Sequence, residues 1–265
     1  MSRGRKDEGN ETSKGGMGGA EDDVQASNKS FVAELVAATL RRRLRAALIP
    51  HNAGEDADAD VAAAVKELQG LHRPFRPEQM PGNFLALSPP DFPDCQGQTE
   101  DGRRIFSLGR MSFEMFAPPA TRCAIDAITN PVYGDGPEYA YDFVVSFEVL
   151  DGPMEGKKGV MRTFGFCGPM STDSRRVPVR FVGVGLRSFA SEDSAAWTQV
   201  FMLSNKAAEA TSGDDDDDEL VGAGAFPLVK RFETAAKGHF DVLYLDSEIR
   251  VTRGNRGTLV VAARE

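Results

Sequence analysis

The chain has 265 residues, 41% of them apolar, and a formal charge of −9. That length holds one large β domain or two small ones, and the acidic balance argues against a general nucleic-acid binder, which needs a basic face. Cys95, Cys123 and Cys167 are odd in number and far apart, so neither a disulfide framework nor a zinc site is suggested, and no run of about 18 apolar residues marks a membrane-crossing helix.

Residues 1–27 are rich in Gly, Ser, Asn, Lys, Asp and Glu. Such a segment buries too little apolar surface to offset ordering entropy, so it reads as a disordered tail. It lacks an apolar targeting core and carries Asp7, Glu8, Glu11, Glu21, Asp22 and Asp23, unlike an acid-poor transit peptide. From Ser30, a plausible N-cap, Phe31, Leu35, Val36, Leu40, Leu44 and Leu48 recur at helical spacing. Arg41, Arg42, Arg43 and Arg45 fill much of the remaining surface. Two readings fit: an amphipathic helix on an anionic membrane, or a helix packed on the domain with its arginines in water. A second short helix is expected from Ala59 to Leu71, with Val61, Val65 and Leu68 on one face. Residues 28–72 thus form a helical lead-in.

The body, residues 82–265, reads as β. A first strand is expected at Gly82–Leu87, followed by a proline-rich extended loop, Ser88–Asp94. Further strands are predicted at Arg104–Leu108, Met111–Phe116 and Thr121–Asn130, with a turn at Gly134–Pro137. Tyr139–Leu150 alternates most clearly, with Tyr141, Phe143, Val145, Phe147 and Val149 on one face. Lys157–Cys167 sets Val160, Phe164 and Phe166 on one face. Val177–Ser188 contains Gly183 and Gly185, which suggest a bend or bulge. Consecutive strands joined by turns imply an antiparallel meander that closes into a barrel. An insertion at 191–225 interrupts it. Ser191–Ala210 is helix-prone, with Trp197, Val200, Phe201 and Leu203 as its apolar content. The run Asp214–Asp218 is expected to be a solvated loop, because it lacks the alternating ligands and glycine turn of a calcium loop. Phe240–Asp246 and Thr258–Ala263 then close the barrel, as strands around a turn that begins Gly254-Asn255.

Several of these segments, in this order, resemble the plastid lipid-associated protein family, the fibrillins, in its algal form. Tyr244, Leu245, Asp246, Glu248, Arg250, Arg253, Gly254 and Gly257 follow the family's C-terminal pattern. Leu108-Gly109-Arg110-Met111-Ser112-Phe113 and the preceding Pro90-Asp91-Phe92-Pro93 are similar to family segments, as are two helices ahead of a β body. Gly82-Asn83-Phe84 stands where lipocalin-like barrels commonly carry Gly-x-Trp, so Phe84 fills the place of the indole plug without its N–H. The resemblance implies a mainly β, lipocalin-like antiparallel barrel preceded by two N-terminal helices, with a helical and acidic insertion before the last strands. It implies a non-enzymatic protein without cofactor, in the plastid, at plastoglobules or thylakoids. Its partners would be a hydrophobic small molecule (a carotenoid, a prenylquinone or another lipid) and a peripheral membrane or lipid-droplet surface, not nucleic acid.

A barrel of about eight strands has room for one small ligand. Phe84, Phe113, Phe143, Phe147, Phe164, Tyr244, Asp246 and Arg250 are the candidate lining residues. No nucleophile elbow, His-Glu-x-x-His or dinucleotide loop occurs. His239, Asp246, Glu248 and Arg250 could in principle run acid–base chemistry; ordinary salt bridges of a sheet are the other reading. If Asp246 and Arg250 are buried they must be paired, which suggests a charge clamp at the barrel seam. Two alternatives stand beside lipid binding: a small barrel enzyme acting on an isoprenoid or quinone, and a ligand-free photosynthetic assembly or interaction protein.

Overall fold

The computed structural model describes residues 19–52, 58–203 and 225–265. The run Asp214–Asp218 and the first part of the expected tail lie outside the described residues. The chain separates into two units, Met1–Thr39 and Leu40–Glu265. The first is helical from Gly19, where helix α1 (Gly19–Asn52) begins. Ser30 therefore lies inside that helix and is not its cap.

In chain order the second unit continues with α2 (Asp58–Gly70), β1 (Phe84–Ala86), β2 (Ile105–Ser107), α3 (Leu108–Met111), β3 (Phe116–Ala117) and β4 (Arg122–Thr129). Then come β5 (Val132–Tyr133), β6 (Tyr139–Tyr141), β7 (Phe143–Val149), β8 (Lys158–Cys167) and β9 (Arg176–Ser188). The last elements are α4 (Ser194–Val200), β10 (Met202–Leu203), β11 (Leu228–Leu245), β12 (Ile249–Gly254) and β13 (Leu259–Arg264).

Eight of these strands form a closed antiparallel ring: β4 pairs β7, and β8, β9, β11, β12, β13 and β1 follow until β1 meets β4 again. Closure removes the free sheet edges that the meander would otherwise expose. The last hairpin turns at Gly254–Gly257, where Gly254 N–H donates to the Thr258 carbonyl. The left-handed residue there is Gly257 (φ 90°), three positions after the expected start of the turn.

Two expected strands differ. Met111–Phe116 is not a strand. Ser107 caps the short helix α3 by accepting the Arg110 N–H, and Phe113 and Glu114 hold φ of 57° and 64°, which no strand allows. Tyr139–Leu150 is two strands, β6 and β7, broken at Asp142. That carboxylate is buried and accepts hydrogen bonds from Tyr133 Oη at 2.8 Å and Arg162 Nε at 3.0 Å. The irregularity expected near Gly183 is present: the β8–β9 register shifts at Phe164–Gly165, opposite Phe181–Gly183. Of the helix-prone insertion, Ser194–Val200 is helical.

Side chains alternate between the two faces of the wall. Val145, Phe147, Met161, Val184 and Leu186 face inward and form one apolar cluster. Phe84, Cys167, Val179, Phe240, Val242 and Ala262 form another farther along the interior. Outside, Tyr244, Ile249, Val251 and Val261 pack against Leu40, Leu44 and Leu48 of α1 and Val61, Val65 and Leu68 of α2. A fourth cluster, Val160, Phe164, Val182 and Phe226, covers another part of the outer face. From α4, Trp197 packs against Phe147 and seats on Gly159, where a Cβ would lie 2.5 Å from the indole.

Candidate functional site

The interior at the β1 end carries charge. Arg250, on β12 opposite Ala262 and Leu245, points inward and is 2% exposed. Its guanidinium lies 4.1 Å from the Phe84 ring centroid and 5.8 Å from that of Tyr141. Nη2 donates to Asn130 Oδ1, while Nε and Nη1 are buried without a hydrogen-bond partner. Burial works against the charge, and the neighbouring Arg264 adds to it, so the pKa falls below that of ordinary arginine. An arginine stays protonated even so. Arg264 covers the Phe84 ring at 4.6 Å and donates to the carbonyls of Pro81 and Gln79, both at 2.5 Å. Phe84 thus lies within cation–π distance of two guanidiniums, a contact the missing indole N–H does not affect. Burial also pushes the Cys167 thiol up to about 12, and raises the Tyr141 pKa, so both groups are neutral.

Asp246 is not part of this interior. It stands just after β11, on the side facing the helices. Its carboxylate takes Arg41 Nη1 at 2.5 Å, Tyr244 Oη at 2.7 Å and the amides of Glu248 and Ile249 at 2.8 and 2.9 Å. Burial alone would raise its pKa, but those hydrogen bonds and the Arg41 charge hold it below the usual carboxylate value. The expected clamp between Asp246 and Arg250 is therefore absent. The partner of Asp246 is Arg41, an arginine expected to lie in water. The physical reason is the strand's alternation: Ile249 faces the helices and Arg250 the interior, so the two charges lie on opposite sides of the wall. A signal for Arg41 was present, since it stands three and seven residues before Leu44 and Leu48 and so shares their buried face.

The other candidates divide. Phe84, Phe143 and Phe147 face inward with Arg250. Phe164 lies on the outer face, edge-on to Phe226 at 5.9 Å. Tyr244 packs outward under the helices. Phe113 sits in the left-handed turn after α3, exposed and edge-on to Phe232 at 5.4 Å. Asn130, Tyr141 and Arg264 belong to the interior site and were not among the residues singled out from sequence. Tyr141 was read on the face of Phe143 and Phe147 but not as a lining residue, and Asn130 stands just after β4, where alternation gives no clear face. His239 pairs across the sheet with Pro178, five residues before Tyr244 on β11, and joins no cluster with Asp246.

The ring is weakest where β1 meets β4. The strands share one paired position, Leu85 with Thr129. The opposite end of β4 pairs with β2 instead, and a register shift at Ile125–Ala127 separates the two contacts. A cleft of about 170 Å³ opens at this seam, lined by Ala86, Ile125 and Ile128 with Arg103, Arg104 and Asp126 around it. A neighbouring cleft of about 330 Å³ runs between Leu48, Val61, Pro89 and Leu259.

The segment that supplies β11, β12 and β13 also carries the comparison with known proteins. Residues 222–263 match the family model PAP_fibrillin. This C-terminal part of the chain is similar to the plastid lipid-associated protein, or fibrillin, family, a match that supports the resemblance read from the sequence. Neither the curated proteins nor the solved structures gave a match to the chain. The fibrillin match covers both charged features, Arg250 inside the barrel and Asp246 outside it. Together with the closed barrel it fits a lipid-associated protein.

Proposed function

We propose that this chain is a fibrillin-type protein that binds a hydrophobic isoprenoid or other lipid in its barrel, at a plastoglobule or thylakoid surface in the plastid. The observation that carries the reading is the closed eight-strand wall around an apolar interior, with a lateral cleft at its sparsely paired seam. Apolar residues of the interior, Ala86, Ile125 and Ile128, line that cleft. A ligand sliding between β1 and β4 parts one paired position and the Gly82–Val132 bridge that continues it, whereas parting β8 from β9 breaks nine paired positions. Binding would come from apolar area removed from water, roughly 25 cal/mol per Å². No catalytic step is proposed, because Asp246 is committed to Arg41, Tyr244 and two backbone amides.

A second reading has its own support. Trp197, Phe201, Phe147 and Phe106 are all buried within one cluster of the barrel, as a side-chain-filled interaction protein would require. Lipid extraction and native mass spectrometry of the full chain from its native source separate the two. A co-purifying isoprenoid or lipid at near one per chain is expected. A lipid-free protein that also fails to take up a prenylquinone after incubation would favour the interaction protein.

A further inference from the structure

Building on the lipid-binding reading, we propose that Arg250 seats the carboxylate of a long-chain acid bound in the barrel. The guanidinium is nearly all buried, and it points into the interior with Nε and Nη1 lacking acceptors. Its one acceptor, Asn130 Oδ1, is neutral. Among the described residues neither Arg250 nor Arg264 has a carboxylate partner, although they cover the same Phe84 ring. Elsewhere Arg162 holds Asp142, Arg103 holds Asp126 and Glu148, and Arg41 holds Asp246, while Arg187 on the outer side of β9 bonds the Ser188 carbonyl beside the Phe226 ring. The β1 end of the interior thus gathers two guanidiniums around one ring without a carboxylate, and one of them carries two unpartnered N–H groups.

An unpaired charge in an apolar interior is costly, and a matching anion relieves that cost. A quinone carbonyl or an alcohol would occupy an N–H but leave the charge. A carboxylate satisfies both, as an acceptor of charge-assisted hydrogen bonds. Around the guanidinium the wall is apolar: Phe84, Tyr141, Phe240, Cys167 and Ala262 belong to or pack against one cluster. That combination suits an acyl chain that ends in one negative charge.

The experiment compares oleate, methyl oleate and a neutral prenylquinone on the full chain by equilibrium binding. Arg250→Met and Arg250→Lys serve as variants and thermal melting as the check on folding. Wild type is expected to hold oleate about tenfold or more tighter than its methyl ester. Arg250→Met should remove that preference while leaving the ester's affinity in place, and Arg250→Lys should keep part of it. The wild-type acid-to-ester ratio stands even if Arg250→Met does not fold. Equal affinity for acid and ester, or a preference that survives in folded Arg250→Met, overturns the carboxylate seat and leaves the lipid-binding reading intact. Failure to bind any of the three probes overturns both.

Discussion

Arg41 Nη1 lies 2.5 Å from Asp246 Oδ2, and each side chain is 5% exposed. The pair joins α1, at its entrance to the second unit, to the end of β11. Glu248, also bonded to Arg41 at 2.7 Å, is half exposed and contributes less. Removing one partner of such a pair leaves the other buried and uncompensated. Asp246→Ala is expected to cost about 3–5 kcal/mol of stability. Replacing both partners with apolar residues (Arg41→Met with Asp246→Leu) should recover much of that loss. Urea denaturation of the two variants decides, and a single variant as stable as wild type would remove the pair from the account of the fold.

The same carboxylate fixes a pH dependence. Its folded-state pKa is held below its unfolded value, near the ordinary ~3.9 of aspartate. A depressed pKa means that the unfolded chain takes up the proton first as pH falls. The contribution of Asp246 is therefore complete above about pH 4 to 5 and is lost as pH drops through the native pKa. Asp246→Asn should flatten the acid limb of the stability curve and lower stability at neutral pH. Denaturation midpoints across pH 3 to 7, a range chosen to span roughly that window, give the slope. Unchanged acid sensitivity in Asp246→Asn would assign it to other groups.

Much of the fold was legible because burial follows alternation. The β7 face of Phe143, Val145, Phe147 and Val149 came from a period of two, and it is the face that lines the interior. Leu40, Leu44 and Leu48 came from helical spacing and pack under α2 as spacing predicts. What periodicity cannot give is the partner of a charge. Asp246 and Arg250 stand close in sequence and read as a pair, yet the wall separates them, and Arg41 comes from far upstream. Nor does periodicity show a break imposed by one buried polar group. Asp142 splits an otherwise regular strand because its carboxylate is held by Tyr133 and Arg162. At α3 the Ser107 cap starts a helical turn and Phe113 and Glu114 follow with positive φ, so only Phe116 of the expected strand is extended, at the start of β3.

Trp197, the chain's one tryptophan, reports on the barrel directly. Its indole is fully buried, 4.5 Å from the Phe201 ring centroid and seated on Gly159. Native emission should be blue-shifted relative to the unfolded chain. Gly159→Ala puts a Cβ 2.5 Å from the indole and 2.6 Å from the Phe147 ring, so one of them must move. We expect about 1–3 kcal/mol of destabilisation, the ordinary cost of overpacking, with an altered emission maximum in the folded state. A Gly159→Ala protein with wild-type stability and emission would mean that the indole is not held against β8.

Phe84 separates two contributions that its position combines. The ring fills apolar space, with no exposed surface, and it offers π density to Arg250 and Arg264. Phe84→Ala removes both and should cost about 3–5 kcal/mol. Phe84→Leu keeps most of the apolar volume and removes the π density, so its loss should be smaller, near 1 kcal/mol or more for each guanidinium. A double-mutant cycle with Arg250→Met isolates the second effect. If the ring holds the guanidinium, Phe84→Leu should cost less in the Arg250→Met background than in wild type, by about 1 kcal/mol. Additive losses would show that Phe84 acts through packing alone, and that Asn130 is what holds Arg250 in the interior.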